Sequence, residues 1–135
     1  MHIMQKESII SSDSKKYDLE DRLVDYAIKM SELVEKFYNT KLGNHIGGQL
    51  TRCSTAPALN YGEAQSAESR TDFIHKMKIC LKEIRESLIC LKIAIRKPLC
   101  PDIELMQSLL KETNELAAIF NKSIATAEKN KFKQK

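Results

Sequence analysis

The spacing of apolar residues between Asp18 and Tyr38 constrains the fold most tightly. Leu19, Leu23, Tyr26, Met30, Leu33 and Phe37 alternate steps of four and three, which places all six on one stripe of an α-helix. Beside this stripe run the i,i+4 pairs Asp18–Arg22, Asp25–Lys29 and Glu32–Lys36, set seven residues apart. Each such pair adds about 0.3 kcal/mol to an exposed helix. A helix with one apolar stripe and a charged remainder must bury the stripe against other helices, so the pattern points to a bundle.

The rest of the chain repeats the theme. A second segment, 42–67, puts Ile46, Leu50, Cys53, Pro57, Asn60 and Ala64 on one face, although Gly47, Gly48, Pro57 and Gly62 each cost helix stability. Packing has to override propensity there, with a kink expected near Pro57. A third helix is expected over 70–96, opened by Ser69 and Asp72 in an S-x-x-D variant of the capping box and stopped by Pro98 and Pro101. Its stripe is Phe73, Met77, Cys80, Ile84, Leu88, Leu91 and Ile95. Asp102 can cap a fourth helix, 102–128, with Ile103, Met106, Leu110, Thr113, Ala117, Phe120, Ile124 and Ala127 inward. Residues 1–16 read as a flexible arm and 129–135 as a basic tail with too little apolar surface to order itself. Nothing reads as a strand. Four amphipathic segments with short connections make an up-down-up-down antiparallel four-helix bundle over 17–128; three helices would result if the Gly- and Pro-rich second segment failed to form.

Composition narrows the function classes. At 135 residues the chain suits one domain. The balance of 22 Lys and Arg against 18 Asp and Glu is too mild to argue nucleic-acid binding by itself. The four cysteines, Cys53, Cys80, Cys90 and Cys100, include no C-x-x-C pair, and no secretory leader opens the sequence. Reduced thiols in a cytoplasmic protein are the expectation. The longest apolar run, LICLKIAI, is interrupted by Lys92 and is far short of a membrane span, so no membrane partner is expected.

The run GNHIGGQLTRCSTAPALNYGEAQSAESRTDFIHKMKICLKEIRESL, residues 43–88, resembles the four-helix-bundle family first known from reading frames inside intervening sequences of bacterial 23S ribosomal RNA genes. Gly43, His45, Gln49, Leu50, Arg52, Thr55, Asn60, Glu63, Ser69, Asp72, Phe73 and Lys82 carry the likeness, which extends more weakly from Tyr17 to about Ala127. The resemblance implies a bundle that assembles into a homo-oligomeric ring, typically a pentamer. A relative, the accessory variability determinant of diversity-generating retroelements, binds nucleic acid through a basic surface. Cys53 and Ala56 stand where that family often has a small hydroxyl residue, and Cys90 where it often has an aromatic one.

Catalytic and metal patterns are thin. Asp72 and His75 at i,i+3 resemble half of a di-iron carboxylate-x-x-histidine motif, but neither His2 nor His45 has a carboxylate three residues before it. Ser69, Asp72 and His75 crowd the first turns of one helix, where Ser69 and Asp72 already serve as caps, so no nucleophilic triad is expected. GNHIGG follows a helix and lacks the G-K-[ST] ending of a phosphate loop. Small residues that let helices approach closely account better for Gly47 and Gly48. The expectation is therefore no enzyme, no metal and no cofactor, with Asn60, Glu63, Ser69 and Asp72 forming a structural polar corner. Asn60, read as buried, must find hydrogen-bond partners there.

Charge is segregated instead. Residues 70–97 hold eight bases and three acids, whereas 18–38 hold six acids and three bases. At 100° per residue Lys78, Lys82, Arg85, Lys92 and Arg96 share a band about 80° wide. With Arg52 they form the candidate surface for RNA, DNA or a protein partner. Val24 and Ile28 on the first helix, and Ile79, Ile89 and Ile93 on the third, lie off the main stripes and are candidates for an oligomer interface.

Overall fold

The computed structural model describes residues 19–133, with side chains described through residue 130. Among these residues the ordered elements are four α-helices, α1 Leu19–Val34, α2 Lys41–Gln65, α3 Arg70–Arg96 and α4 Ile103–Lys133, with no strand. Each helix packs on its chain neighbours, α1 also meets α4, and the diagonal pairs stay apart. That is the expected up-down-up-down bundle. The Gly- and Pro-rich second segment forms a full helix, which removes the three-helix alternative. The expected arm, 1–16, lies outside the described residues.

The helix ends show how sequence sets structure locally. Thr40 caps α2 by accepting the Gly43 N–H, Ser69 caps α3 by accepting the Asp72 N–H, and Asp102 accepts the Leu105 N–H at the start of α4. Such caps are each worth about 1 kcal/mol. Helix α1 stops at Val34, short of Tyr38. Beyond it the chain is drawn off by a long-range bond, Tyr38 N–H to Leu99 O at 2.8 Å, and by the Lys36 to Asp102 ion pair at 2.6 Å. Helix α4 continues into the basic tail to Lys133, past the expected end near residue 128. The tail holds neither Pro nor Gly, and its four Lys residues propagate helix well.

The core follows the stripes, with broader faces than a single row. Leu23, Tyr26, Met30 and Leu33 of α1 meet Ile46, Leu50 and Cys53 of α2, Met77, Ile84 and Leu91 of α3, and Met106, Leu109, Leu116 and Phe120 of α4. On α3 the buried face shifts to include Ile74, Leu81, Ser87 and Ala94, while Phe73, Leu88 and Ile95 sit at its margin, because this helix packs on α2 to one side and α4 to the other.

At mid-height the core turns polar. Tyr26, Cys53, Ser87 and Thr113, one from each helix, are all buried. Thr113 donates to Leu109 O at 2.6 Å, so the 2.7 Å contact between hydroxyls leaves Tyr26 as donor to Thr113. Ser87 donates to Cys53 Sγ at 3.0 Å. Burial pushes the Tyr26 phenol up to about 12, although the Thr113 and Ser87 hydroxyls beside it pull the other way.

The four glycines of α2 differ in what surrounds them. Gly47 does permit close approach, since a Cβ there would meet Val34 Cγ1 at 3.1 Å. Gly48 and Gly62 face open space and serve no such purpose. The tightest site is Gly43, where a Cβ would press on the Tyr38 carbonyl oxygen.

Candidate nucleic-acid interface

Helix α3 presents its basic band along the outer side of the bundle. Lys78, Lys82 and Arg85 border an open groove of about 860 Å³ whose floor is Ile46 from α2, Leu81 and Ile89 from α3, and Ile124 from α4. Lys92 and Arg96 continue the band beyond the groove, so it extends about 27 Å along the helix at 1.5 Å per residue.

The cations differ in availability. Arg52 is held by Glu83 at 3.0 Å and Glu86 at 2.6 Å, and these carboxylates raise its pKa. It bridges α2 to α3. Lys78 reaches Glu128 of α4 at 3.2 Å. Arg85 leans on the Asn121 side-chain oxygen at 3.5 Å, a weak neutral contact. Lys82, Lys92 and Arg96 are exposed with no carboxylate partner among the described residues. The most available positive charge is therefore Lys82, Arg85, Lys92 and Arg96.

The acidic first helix behaves differently from its local pattern. Arg22 makes a forked contact with Glu112 at 2.7 and 2.8 Å and reaches Glu115 at 2.7 Å, while Asp18, its expected i,i+4 partner, lies outside the described residues. Hydrogen bonding to Glu112 is the main cause raising its pKa. Lys36 turns to Asp102 rather than to Glu32, and the same bond holds the Asp102 carboxyl below its ordinary value. These cations tie α1 to α4 and to the loop before it. No residue-to-residue spacing in the sequence announces those partners.

Apolar exposure sits on both charged helices. Val24 is 44% and Ile28 53% exposed on α1, and Ile89 is 55% and Ile93 37% exposed on α3, whereas Ile79 is half-buried. The polar corner is simpler than a reaction site. Asn60 is half-buried rather than fully buried, and its amide donates to Ala56 O one turn back at 3.0 Å. Glu63 pairs with Lys76 across the corner at 3.2 Å, and Ser69 with Asp72 closes the cap. No group of three or more His, Cys, Asp or Glu side chains among the described residues could hold a metal ion.

The thiols are free, and three of the four are buried. Burial pushes Cys53 up to about 11 and Cys80 up to about 12, the reverse of what a nucleophilic cysteine needs. No described helix is long and apolar enough to cross a membrane.

Comparison with known proteins places the chain. A protein of unknown function from the S23 ribosomal protein family of Bacteroides thetaiotaomicron, whose crystal structure is solved, is 27% identical and superposes with a TM-score of 0.72 over 79% of this chain and 98% of that one. None of the curated proteins matches. The profile of the family described as 23S rRNA-intervening sequence protein matches residues 15–122, and the chain belongs to that family.

Proposed function

We propose that this protein is a non-enzymatic cytoplasmic accessory or scaffold that binds the phosphate backbone of a structured RNA or DNA through α3, as a homo-oligomeric ring. The observation that carries the reading is the row Lys82, Arg85, Lys92 and Arg96, exposed on one face and free of carboxylate partners among the described residues. Phosphate contacts need cations at regular intervals more than they need aromatic side chains, and this row offers no stacking platform. Backbone recognition of a folded nucleic acid fits it better than readout of unpaired bases. Val24 and Ile28 on one charged helix, and Ile89 and Ile93 on the oppositely charged one, supply apolar contacts for neighbouring subunits, and a pentamer follows from the family resemblance.

Titration of a labelled RNA hairpin and a DNA duplex at several salt concentrations tests this. Binding should weaken with salt with a log–log slope of about 3 to 4, one unit per engaged cation. Lys82→Glu with Arg85→Glu should abolish it while the oligomer persists. Binding unaffected by the double reversal would overturn the reading.

The apolar floor of the groove favours a second reading, in which the ring docks a protein partner and no nucleic acid. That reading expects a complex insensitive to salt, lost when Ile89 becomes Asp, and a purified oligomer free of nucleic-acid absorbance.

A further inference from the structure

The seam between α3 and α4 repeats with a heptad period. The two helices run antiparallel, and Lys78 of α3 reaches Glu128 of α4 at 3.2 Å. Seven residues on along α3 and seven back along α4, the Arg85 guanidinium donates to the Asn121 side-chain oxygen at 3.5 Å. One more step of the same size sets Lys92 level with Asn114. The three rungs follow one another about 10.5 Å apart, at 1.5 Å per residue. Each places a cation of α3 across the seam from a polar side chain of α4, yet only the first of these partners carries charge.

An amide in place of a carboxylate changes what a rung can do. Glu128 holds Lys78 and offsets its charge, whereas Asn121 holds Arg85 and leaves the charge in place. A guanidinium has donors only, so the amide turns its oxygen toward Arg85 and its N–H2 away. Asn121 and Asn114 are both exposed, and each lines a groove beside the seam. Cation and amide therefore offer N–H donors side by side to an oxyanion laid across the rung, and both are donors that proteins use on phosphate oxygens. The cation supplies the stronger, charge-assisted bond, and the amide fixes where the oxyanion sits.

We infer that the rungs Arg85–Asn121 and Lys92–Asn114 are two phosphate seats, so that α4 contributes to the interface and the nucleic-acid backbone lies along the α3–α4 seam. The inference rests on the nucleic-acid reading above and adds Asn114 and Asn121 to it. It also gives the track an end, at the rung where Glu128 occupies Lys78. Such seats engage phosphate oxygens, which RNA and DNA share, so the two nucleic acids should respond alike to their loss.

Titration of a labelled RNA hairpin and a DNA duplex with the intact protein, at several salt concentrations, tests the seats. Asn121→Ala and Asn114→Ala should each weaken binding about fivefold with an unchanged salt slope, because a neutral donor releases no counterion. Asn121→Asp should weaken it further and lower the slope by about one unit, since a carboxylate would then offset Arg85 as Glu128 offsets Lys78. Glu128→Gln should do the reverse, strengthening binding and raising the slope by about one unit, a gain that a misfolded variant cannot produce. If Lys82→Glu with Arg85→Glu abolishes binding while the Asn114, Asn121 and Glu128 variants bind as the unaltered protein does, the basic interface stands and the seats are overturned. No binding by the unaltered protein would overturn both. A loss on alanine substitution confined to RNA would overturn the seats alone, since it would put the amides on the 2′-hydroxyl.

Discussion

The two ends of the bundle are built on different plans. At one, the turn after α1 and the connection before α4 are bound together: Tyr38 donates to Leu99 O, Lys36 reaches Asp102, and Leu99 and Cys100 are buried under the crossing. At the other, α2 turns into α3 through the exposed corner around Ser66 to Ser69, and α4 runs on to Lys133. The difference teaches where stability is local and where it is shared. A crossed end is held by contacts between distant parts of the chain, whereas the open end depends on side-chain packing between neighbouring helices.

Alkali should have the largest effect and should act on the middle and the open end. The acids Tyr26, Cys53 and Cys80 have their folded pKa values raised by burial, to about 12, 11 and 12. The unfolded chain then loses these protons first as pH rises. Their contribution to stability is complete below the ordinary thiol range and drains away from about pH 9 up to the folded values, each unit of pKa being worth about 1.4 kcal/mol. Urea melts at pH 8 and pH 10.5 measure it. Cys80→Ala should flatten the decline, and an unchanged slope would show that the open end does not share it.

Next in size is Phe120→Ala, which empties a fully buried site beside Tyr61 and should cost about 3 to 5 kcal/mol by chemical denaturation. A cost below about 1 kcal/mol would mean that the open end frays independently of the rest. Gly43→Ala tests the crossed end. With the Tyr38 carbonyl and the Thr40 hydroxyl against the new Cβ, a loss of about 1 to 3 kcal/mol is expected. Gly62→Ala, in the same helix near the open end, has free space and should instead stabilise by about 0.5 to 1 kcal/mol. If both glycines respond alike, the contrast between the ends is wrong.

Those glycines also mark how far the amino-acid sequence is legible by itself. Ser69 with Asp72 at one end and Pro98 beyond the other place α3 at its true bounds, because caps and breakers act within a turn of themselves. Glycine carries no such signal: Gly43, Gly47, Gly48 and Gly62 are one residue type in one helix, and only their neighbours in space separate a tight contact from an open face. Charges divide the same way. The segregation of bases onto α3 and acids onto α1 is legible as a count, but which cations stay available is not. Arg52 and Lys78 share the band's composition yet are engaged by Glu83, Glu86 and Glu128, carboxylates that only folding brings near. The end of α1 is hidden for a related reason, since Phe37 keeps the stripe going while the chain around it is already bound to the loop before α4.

The buried hydroxyls at mid-height have a consequence for alignment. Leu, Ile and Met side chains would pack nearly as well if one helix slid along its neighbour by a turn, about 5.4 Å. Such a slip would carry Tyr26 away from Thr113, or Cys53 away from Ser87, and strand a polar atom in an apolar interior at about 1 to 3 kcal/mol for each. Tyr26, Cys53, Ser87 and Thr113 thus act as a registration mark, admitting one longitudinal setting of the four rods and turning away the near-copies one turn up or down.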